Sequence, residues 1–296
     1  MYEEISKNKR NSFLLIAAFV VFIIFLGFVF GEIIYPGFGI PGLFIAFVIA
    51  ILFAFFGYYF SDKIVLSISH AREVQKGEYP YLFNLIEGLA MAAGIPKPKA
   101  YVIDDTALNA FATGRDPEHS VIVVTTGIMN KLKREELEGV IAHEMSHIKN
   151  YDIRMMTLAV VFVGVVALLS DMMLRSMLWG RHDNRGKGSI GIVLLVVGIL
   201  LAILAPIIAT LLKLAVSRER EYLADASGAM LTRNPGGLAS ALEKISADKE
   251  PLEAANKATA HLYISNPLKE NNKGWFDGMF STHPPVEKRI ARLREM

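Results

Sequence analysis

The sequence predicts an α+β fold carried on membrane-spanning helices. Three observations lead there. Four long apolar runs come in two pairs, the first joined by a Gly/Pro-rich turn and the second by a polar loop. Outside the pairs, short runs rich in β-branched residues alternate with stretches of helical periodicity. One helical stretch, Leu137–Ile148, contains His143-Glu144-Met145-Ser146-His147, an H-E-x-x-H pattern. Composition agrees, because 53% of the 296 residues are hydrophobic and the net charge is only +2. That share is high for a soluble chain, and the charge is too small for a nucleic-acid binder. The chain has no cysteine, so any metal site must use histidine and carboxylate ligands.

Taken in order, Lys7, Lys9 and Arg10 precede an uncharged run from Phe13 to Phe30. Its length approaches the roughly 20 residues of a bilayer span. A cleaved signal peptide would have a shorter apolar region and a small-x-small site. Gly31-Glu32-Ile33-Ile34-Tyr35-Pro36 offers no such site, so the run reads as an uncleaved anchor. Gly37–Gly42 is a turn. Leu43–Phe60 is the second run, ending in Phe55, Phe56, Tyr58, Tyr59 and Phe60, as suits a membrane–water boundary. Residues 1–60 thus read as a transmembrane hairpin with spans at 13–34 and 39–60. Its tip carries no Lys or Arg, so the positive-inside rule places the tip outside and both flanks in the cytoplasm.

Residues 61–154 read as the first part of a water-exposed domain. Pro80 opens a helix and Gly94 closes it. Lys99–Ile103, Asn109–Gly114 and Ser120–Thr125 read as strands. The histidine helix follows, with Glu135 and Glu136 in its first turn, where negative charge suits the helix dipole. Residues 155–213 read as a second hairpin, with spans at 155–178 and 190–212. The alternative is a pair of buried core helices. Asp171 and Arg175 lie one turn apart and can pair. The connecting loop carries Arg181, Arg185 and Lys187 besides Arg175, although a four-span topology places it outside. Two topologies stay open: the loop breaks the charge rule, or the hairpin dips in and returns. In both, residues 61–154 and 214–296 share one side and can build one domain.

The chemistry rests on helical spacing. His143 and His147 sit about 40° apart, one turn from each other, and can grip one metal ion. Glu144 falls beside them, where it can take a proton from an attacking water. Leu137, Ile141, Met145 and Ile148 form a separate core-facing stripe, so the histidines are expected to line a cleft. Gly139, one turn before His143, is expected to keep a side chain out of it. After the fourth apolar run comes Ser217-Arg218-Glu219-Arg220-Glu221-Tyr222-Leu223-Ala224-Asp225. Glu221 and Asp225 lie one turn apart on one face. A catalytic zinc site takes three protein ligands and keeps an open position. A carboxylate from this helix suits the third place, and the other acid can orient a ligating histidine.

These motifs, with Asn109-Ala110-Phe111-Ala112-Thr113-Gly114 and Ser281-Thr282-His283-Pro284-Pro285, resemble the HtpX-type membrane zinc peptidases, a family related to the CAAX prenyl proteases. Four motifs in this order around two apolar hairpins cover almost the whole chain. The resemblance implies a mostly helical, gluzincin-like zincin domain with a small sheet. It implies one Zn²⁺ per chain held by His143, His147 and Glu221, with Glu144 as general base and Asp225 behind the ligands. It implies hydrolysis of misfolded or damaged membrane proteins at the cytoplasmic face of a prokaryotic inner membrane. The expected partners are unfolded or membrane protein substrates and the bilayer, with no nucleic acid.

Two further residues are candidates for substrate contact. Asn109 resembles the family residue at the rim of an edge strand, where an extended substrate can add as a strand. In relatives, a histidine at the place of His283 approaches the active site, where it can meet substrate or the developing oxyanion. The plainer reading of that stretch is a helix start at Pro284 and Pro285. His70, His119, His182 and His261 read as structural or solvated. The rivals to a protease are a non-catalytic membrane scaffold or chaperone adaptor holding a structural zinc, and a four-span transporter. A closed structural site takes four protein ligands, and only three are evident. A transporter needs polar residues within its spans, and the first two runs have essentially none.

Overall fold

A computed structural model describes residues 2–179, 217–256, 258–268 and 284–296. The fourth apolar run, most of the basic loop before it, and His283 lie outside these residues. Helix α1 (Tyr2–Ile34) and helix α2 (Gly39–Ile68) form the first hairpin. Glu32 closes its tip by accepting hydrogen bonds from Gly37 N and Gly39 N, both at 3.0 Å. Phe44, Val48, Ile51, Leu52 and Phe55 of α2 are exposed, as befits a helix meeting lipid.

A four-stranded mixed sheet follows, built from β1 (Arg72–Glu73), β2 (Lys99–Ile103), β3 (Ala110–Gly114) and β4 (Ser120–Thr125). The order is β1-β2-β4-β3, so β3 forms an edge. β2 runs parallel to β4, and β3 runs antiparallel to it with Ala112 opposite Ile122. Ala110, Ala112, Ile122 and Val124 face one apolar cluster, while Phe111, Val121 and Val123 face another. Burial on both faces explains why β4 reads as a continuous apolar run rather than an alternating one. Helix α3 (Pro80–Ala93) starts on its proline and ends at Gly94, whose φ of 67° forms a left-handed cap. Short helix α4 (Thr126–Lys131) leads into the histidine helix α5 (Arg134–Lys149).

The third apolar run is helix α6, Asp152–Trp179. Among the described residues, three helices are long and apolar enough to cross a membrane: Glu3–Glu32, Gly39–Ile68 and Asp152–Leu169. They differ in surroundings. The apolar windows of the first two are 22% buried, whereas that of α6 is 72% buried. Phe162 stacks on Phe19 of α1 with ring centroids 4.0 Å apart. On its other face, Met156 and Val160 join Phe111, Val121 and Tyr263 in the cluster beneath the sheet. α6 therefore joins the hairpin to the sheet. The last described helices are α7 (Arg218–Thr232) and α8 (Pro235–Ala247), which pack on α5, and α9 (Val286–Arg294), which packs on α7 and α8.

Candidate metal centre

The centre forms where α5 and α7 touch. Asn150 caps the end of α5, and Glu136 accepts from Lys133 N at 2.6 Å at its start. Between these caps the helix is buried on nearly every side. This corrects the expectation of a histidine face lining an open cleft. His143, Glu144, His147 and Glu221 are 1%, 2%, 4% and 1% exposed. Gly139 also has another task than the one expected. A Cβ there would lie 2.7 Å from Leu238 N, so this glycine lets α8 press against α5 rather than clearing the centre. Gly228 does the same for α7, since a Cβ there would lie 3.0 Å from His143 N. That close approach carries Glu221 and Asp225, earlier on α7, up to the histidines.

One ligand atom each from His143, His147 and Glu221 can be chosen so that all lie within 4.8 Å of one another. His143 Nε2 and His147 Nε2 are 3.2 Å apart. Glu221 Oε1 is 3.5 Å from His147 Nε2, and its Oε2 is 3.9 Å from His143 Nε2. The residues fit a zinc ion on three counts. Two nitrogens on a tetrahedral zinc, each about 2.05 Å away, are themselves about 3.3 Å apart. His143 Nδ1 lies 2.9 Å from Asp225 Oδ1. His147 Nδ1 lies 3.0 Å from Asp152 Oδ2. A carboxylate facing each Nδ1 favours a proton there, so two Nε2 lone pairs face each other across a gap that suits a cation. Finally, among the described residues around the centre, four buried carboxylates, Glu144, Asp152, Glu221 and Asp225, stand against two buried arginines, Arg220 and Arg289. A divalent cation restores the balance.

The titrating groups feel that imbalance. Burial, with the neighbouring Glu221 charge added, pushes the Glu144 carboxyl up to about 7, while an N–H from Ala112 on the β3 edge works against it. Burial lowers the pKa of His143. Burial would lower His147 too, but Asp152 and Glu221 carry it up to about 9. Burial would raise Asp225, but the Arg289 guanidinium holds it below the usual carboxylate range.

Sequence reasoning missed three of these supporting residues. Arg289, on α9, is 2% exposed and grips Asp225 through two hydrogen bonds, Nε to Oδ2 at 2.8 Å and Nη2 to Oδ1 at 2.7 Å. Its Nη1 lies 3.4 Å from Glu221 Oε2 and donates to Ile264 O at 3.2 Å. A signal existed: Arg289 sits within the stripe of Val286, Ile290 and Leu293, where a cation is out of place unless it is paired. Asp152 stands at the first residue of α6, a carboxylate at the head of an apolar run. Asn8 hydrogen-bonds Asp152 from α1, and its only trace is that it continues the Leu15, Phe19, Ile23 stripe at helical spacing.

The remaining candidates lie nearby. Asn109 is 1% exposed, and its side-chain amide donates to Ser265 O at 3.1 Å. The adjacent Ala110 O accepts from Ile264 N at 3.0 Å, so residues 264–265 cover this end of the β3 edge. His261 is buried with Nε2 3.1 Å from Met156 O, away from the metal ligands, and His119 bonds Asp116 on the surface.

Comparison with known proteins agrees with this geometry. The profile of peptidase family M48 matches residues 77–296. A protease HtpX homolog of Dictyoglomus thermophilum is 51% identical over 296 residues, covering 100% of this chain and 94% of its own length. That of Dictyoglomus turgidum is 49% identical with the same coverage. The crystal structure of S. mikatae Ste24p matches with a TM-score of 0.50 at 22% identity, over 98% of this chain and 66% of that one, a likeness of fold. The chain belongs to peptidase family M48, as a membrane-bound, HtpX-type zinc metallopeptidase whose metal site is His143, His147 and Glu221.

Proposed function

We propose that this peptidase binds one zinc per chain and cleaves misfolded or damaged membrane proteins at the cytoplasmic face of a prokaryotic inner membrane. The observation that carries the reading is the convergence of His143, His147 and Glu221 beside a buried Glu144 at the foot of the apolar helices. Quality control and the stress-linked role come from the resemblance to the HtpX-type peptidases. The orientation comes from the basic N-terminal flank, Lys7, Lys9 and Arg10, against a hairpin tip without Lys or Arg.

Zinc at this place supplies a Lewis acid that polarises the scissile carbonyl and acidifies water. Glu144 takes a proton from the attacking water and hands it to the leaving nitrogen. Asp225 and Asp152 hold the imidazoles in the tautomer that presents Nε2. A substrate strand adding beside β3 would run past Glu144 at Ala112. Asn109, by holding Ser265, shapes the rim of that path, and His283 is assigned a substrate contact by resemblance alone. Because the ligands and Glu144 are buried, substrate must displace some of the covering chain to reach them.

The test is Glu144→Gln in detergent-purified full chain. Zinc content is expected to stay at one per chain, while cleavage of unfolded casein falls by about 10²–10⁴-fold. Chelation of the wild type is expected to abolish cleavage, and added zinc to restore it. Unchanged turnover in Glu144→Gln would remove this residue from the mechanism. Inactivity of metal-loaded wild type toward every unfolded substrate would return the scaffold reading.

A further inference from the structure

The first apolar helix reaches the metal centre. One stripe of α1 is buried: Asn8, Ser12, Leu15, Phe19, Ile23 and Leu26, at helical spacings of three and four. The apolar members pack with Met155, Leu158, Phe162 and Val165 of α6. Asn8, at the stripe's polar end, is 1% exposed. It donates through Nδ2 to Asn150 O at 2.8 Å and to Asp152 Oδ1 at 2.7 Å. Both neighbours are acceptors, so the amide can face them only with its nitrogen. Its Oδ1 has no hydrogen-bond partner among the described residues.

Those two acceptors bracket Tyr151, a non-glycine residue at φ 62°. A side chain in the left-handed region is strained, so the turn needs support from its surroundings. It joins α5, which carries both histidines, to α6, which opens with Asp152. Asn8 spans the joint. Lys9, its neighbour on α1, lies 4.3 Å above the Tyr151 ring. The second oxygen of Asp152 faces His147 Nδ1 at 3.0 Å. On the first oxygen, Arg220 Nε stands 3.7 Å away, beyond hydrogen-bond reach, so Asn8 makes the short contact there.

We propose that Asn8 is a positioning residue of the metal centre. Through the α5–α6 turn it sets Asp152 against His147, and so ties zinc affinity to the seating of the first membrane helix. The inference rests on His147 being a zinc ligand. It adds a role for a membrane span that the peptidase reading alone does not give.

The test is a set of zinc dissociation constants, measured by chelator competition on full-length protein in detergent. Asn8→Leu is expected to weaken zinc about 3–10-fold, less than the 10–100-fold typical of groups that touch a ligand directly. Ser12→Ala, one turn along the same buried stripe, removes a hydroxyl that donates to Asn8 O and leaves the Asn8 amide in place, and is expected to stay within about twofold. In an Asp152→Asn background, Asn8→Leu should add little, because the group through which it acts is already changed. Should Asn8→Leu fail to fold, Asn8→Asp decides. It is the same size but replaces the donor with an acceptor, and should weaken zinc at least as much. Wild-type affinity in either Asn8 variant, or an equal loss with and without the Asp152 carboxylate, would overturn the proposal. So would an equal loss in Ser12→Ala. Glu221→Ala serves as the separate control. If it kept wild-type zinc, the metal-site reading itself would fail, whatever Asn8 does.

Discussion

The two histidines of α5 are held by different kinds of support. Behind His143 stands Asp225, clamped by two hydrogen bonds from Arg289, which also reaches Glu221. Behind His147 stands Asp152, held by the neutral amide of Asn8, with Arg220 at 3.7 Å. The first flank is a charge-assisted fork from the C-terminal helix. The second is an amide from a membrane helix. Forked arginine–carboxylate pairs are shorter, stronger and more directional than contacts to a neutral donor. The centre therefore has one carboxylate tied to the C-terminal helix and one tied to the first apolar helix.

The largest effect should come from breaking the fork. Arg289→Met leaves Asp225 and Glu221 buried without their cation, which is expected to cost about 3–5 kcal/mol. Thermal unfolding in detergent reads this directly, and Arg289→Lys should rescue little because an ammonium cannot reproduce the fork. A variant that melts with the wild type would show the clamp to be ornamental. Next, replacing either carboxylate tests the asymmetry itself. Asp225→Asn and Asp152→Asn are each expected to weaken zinc about 10–100-fold, with Asp225→Asn the worse. Asp225 shares its helix and its arginine with the third ligand, whereas Asp152 does not. Equal losses in a chelator competition would erase the distinction between the flanks.

The smallest effect comes from the helix contacts. Gly228→Ala and Gly139→Ala each force a methyl group against backbone, at 3.0 Å from His143 N and 2.7 Å from Leu238 N. Overpacking of this kind typically costs about 1–3 kcal/mol. The two should separate by metal. Gly228→Ala displaces the helix that carries Glu221 and should weaken zinc as well as stability. Gly139→Ala displaces α8 and should lower the melting point with little change in affinity. The opposite order would mean that α7 does not set the ligand geometry.

What could be read in advance follows the range of the interaction. His143 and His147 are four residues apart, and helical geometry alone brings them together. Glu221 is 74 residues further on than His147, yet the acid pair it forms with Asp225 was legible as the source of a third ligand, and the family resemblance chose Glu221 from that pair. An acid pair one turn apart, just past an apolar run, has few other uses once H-E-x-x-H lies on the same side. The strand limits at Lys99–Ile103 and Ser120–Thr125 were legible too, because β-branched runs end at turn residues. The left-handed Gly94 likewise closed α3 where a glycine after a periodic run should. The face of α5 was misjudged. A helix wrapped by a sheet, α3, α7 and α8 is buried on nearly every side, and its own periodicity carries no record of how many neighbours surround it.

By itself the sequence determined the apolar helices α1, α2 and α6, the strands β2, β3 and β4, and the histidine pair. Each depends on spacing within one segment, or on residue types with few alternative uses. Tertiary structure alone decided that Asn8 meets Asp152 across 144 positions of chain and Arg289 meets Asp225 across 64. An asparagine among lysines and an arginine on a short helix are ordinary residues until folding removes water from around them. Once it has, each buried donor must find an acceptor, and the nearby carboxylates provide them.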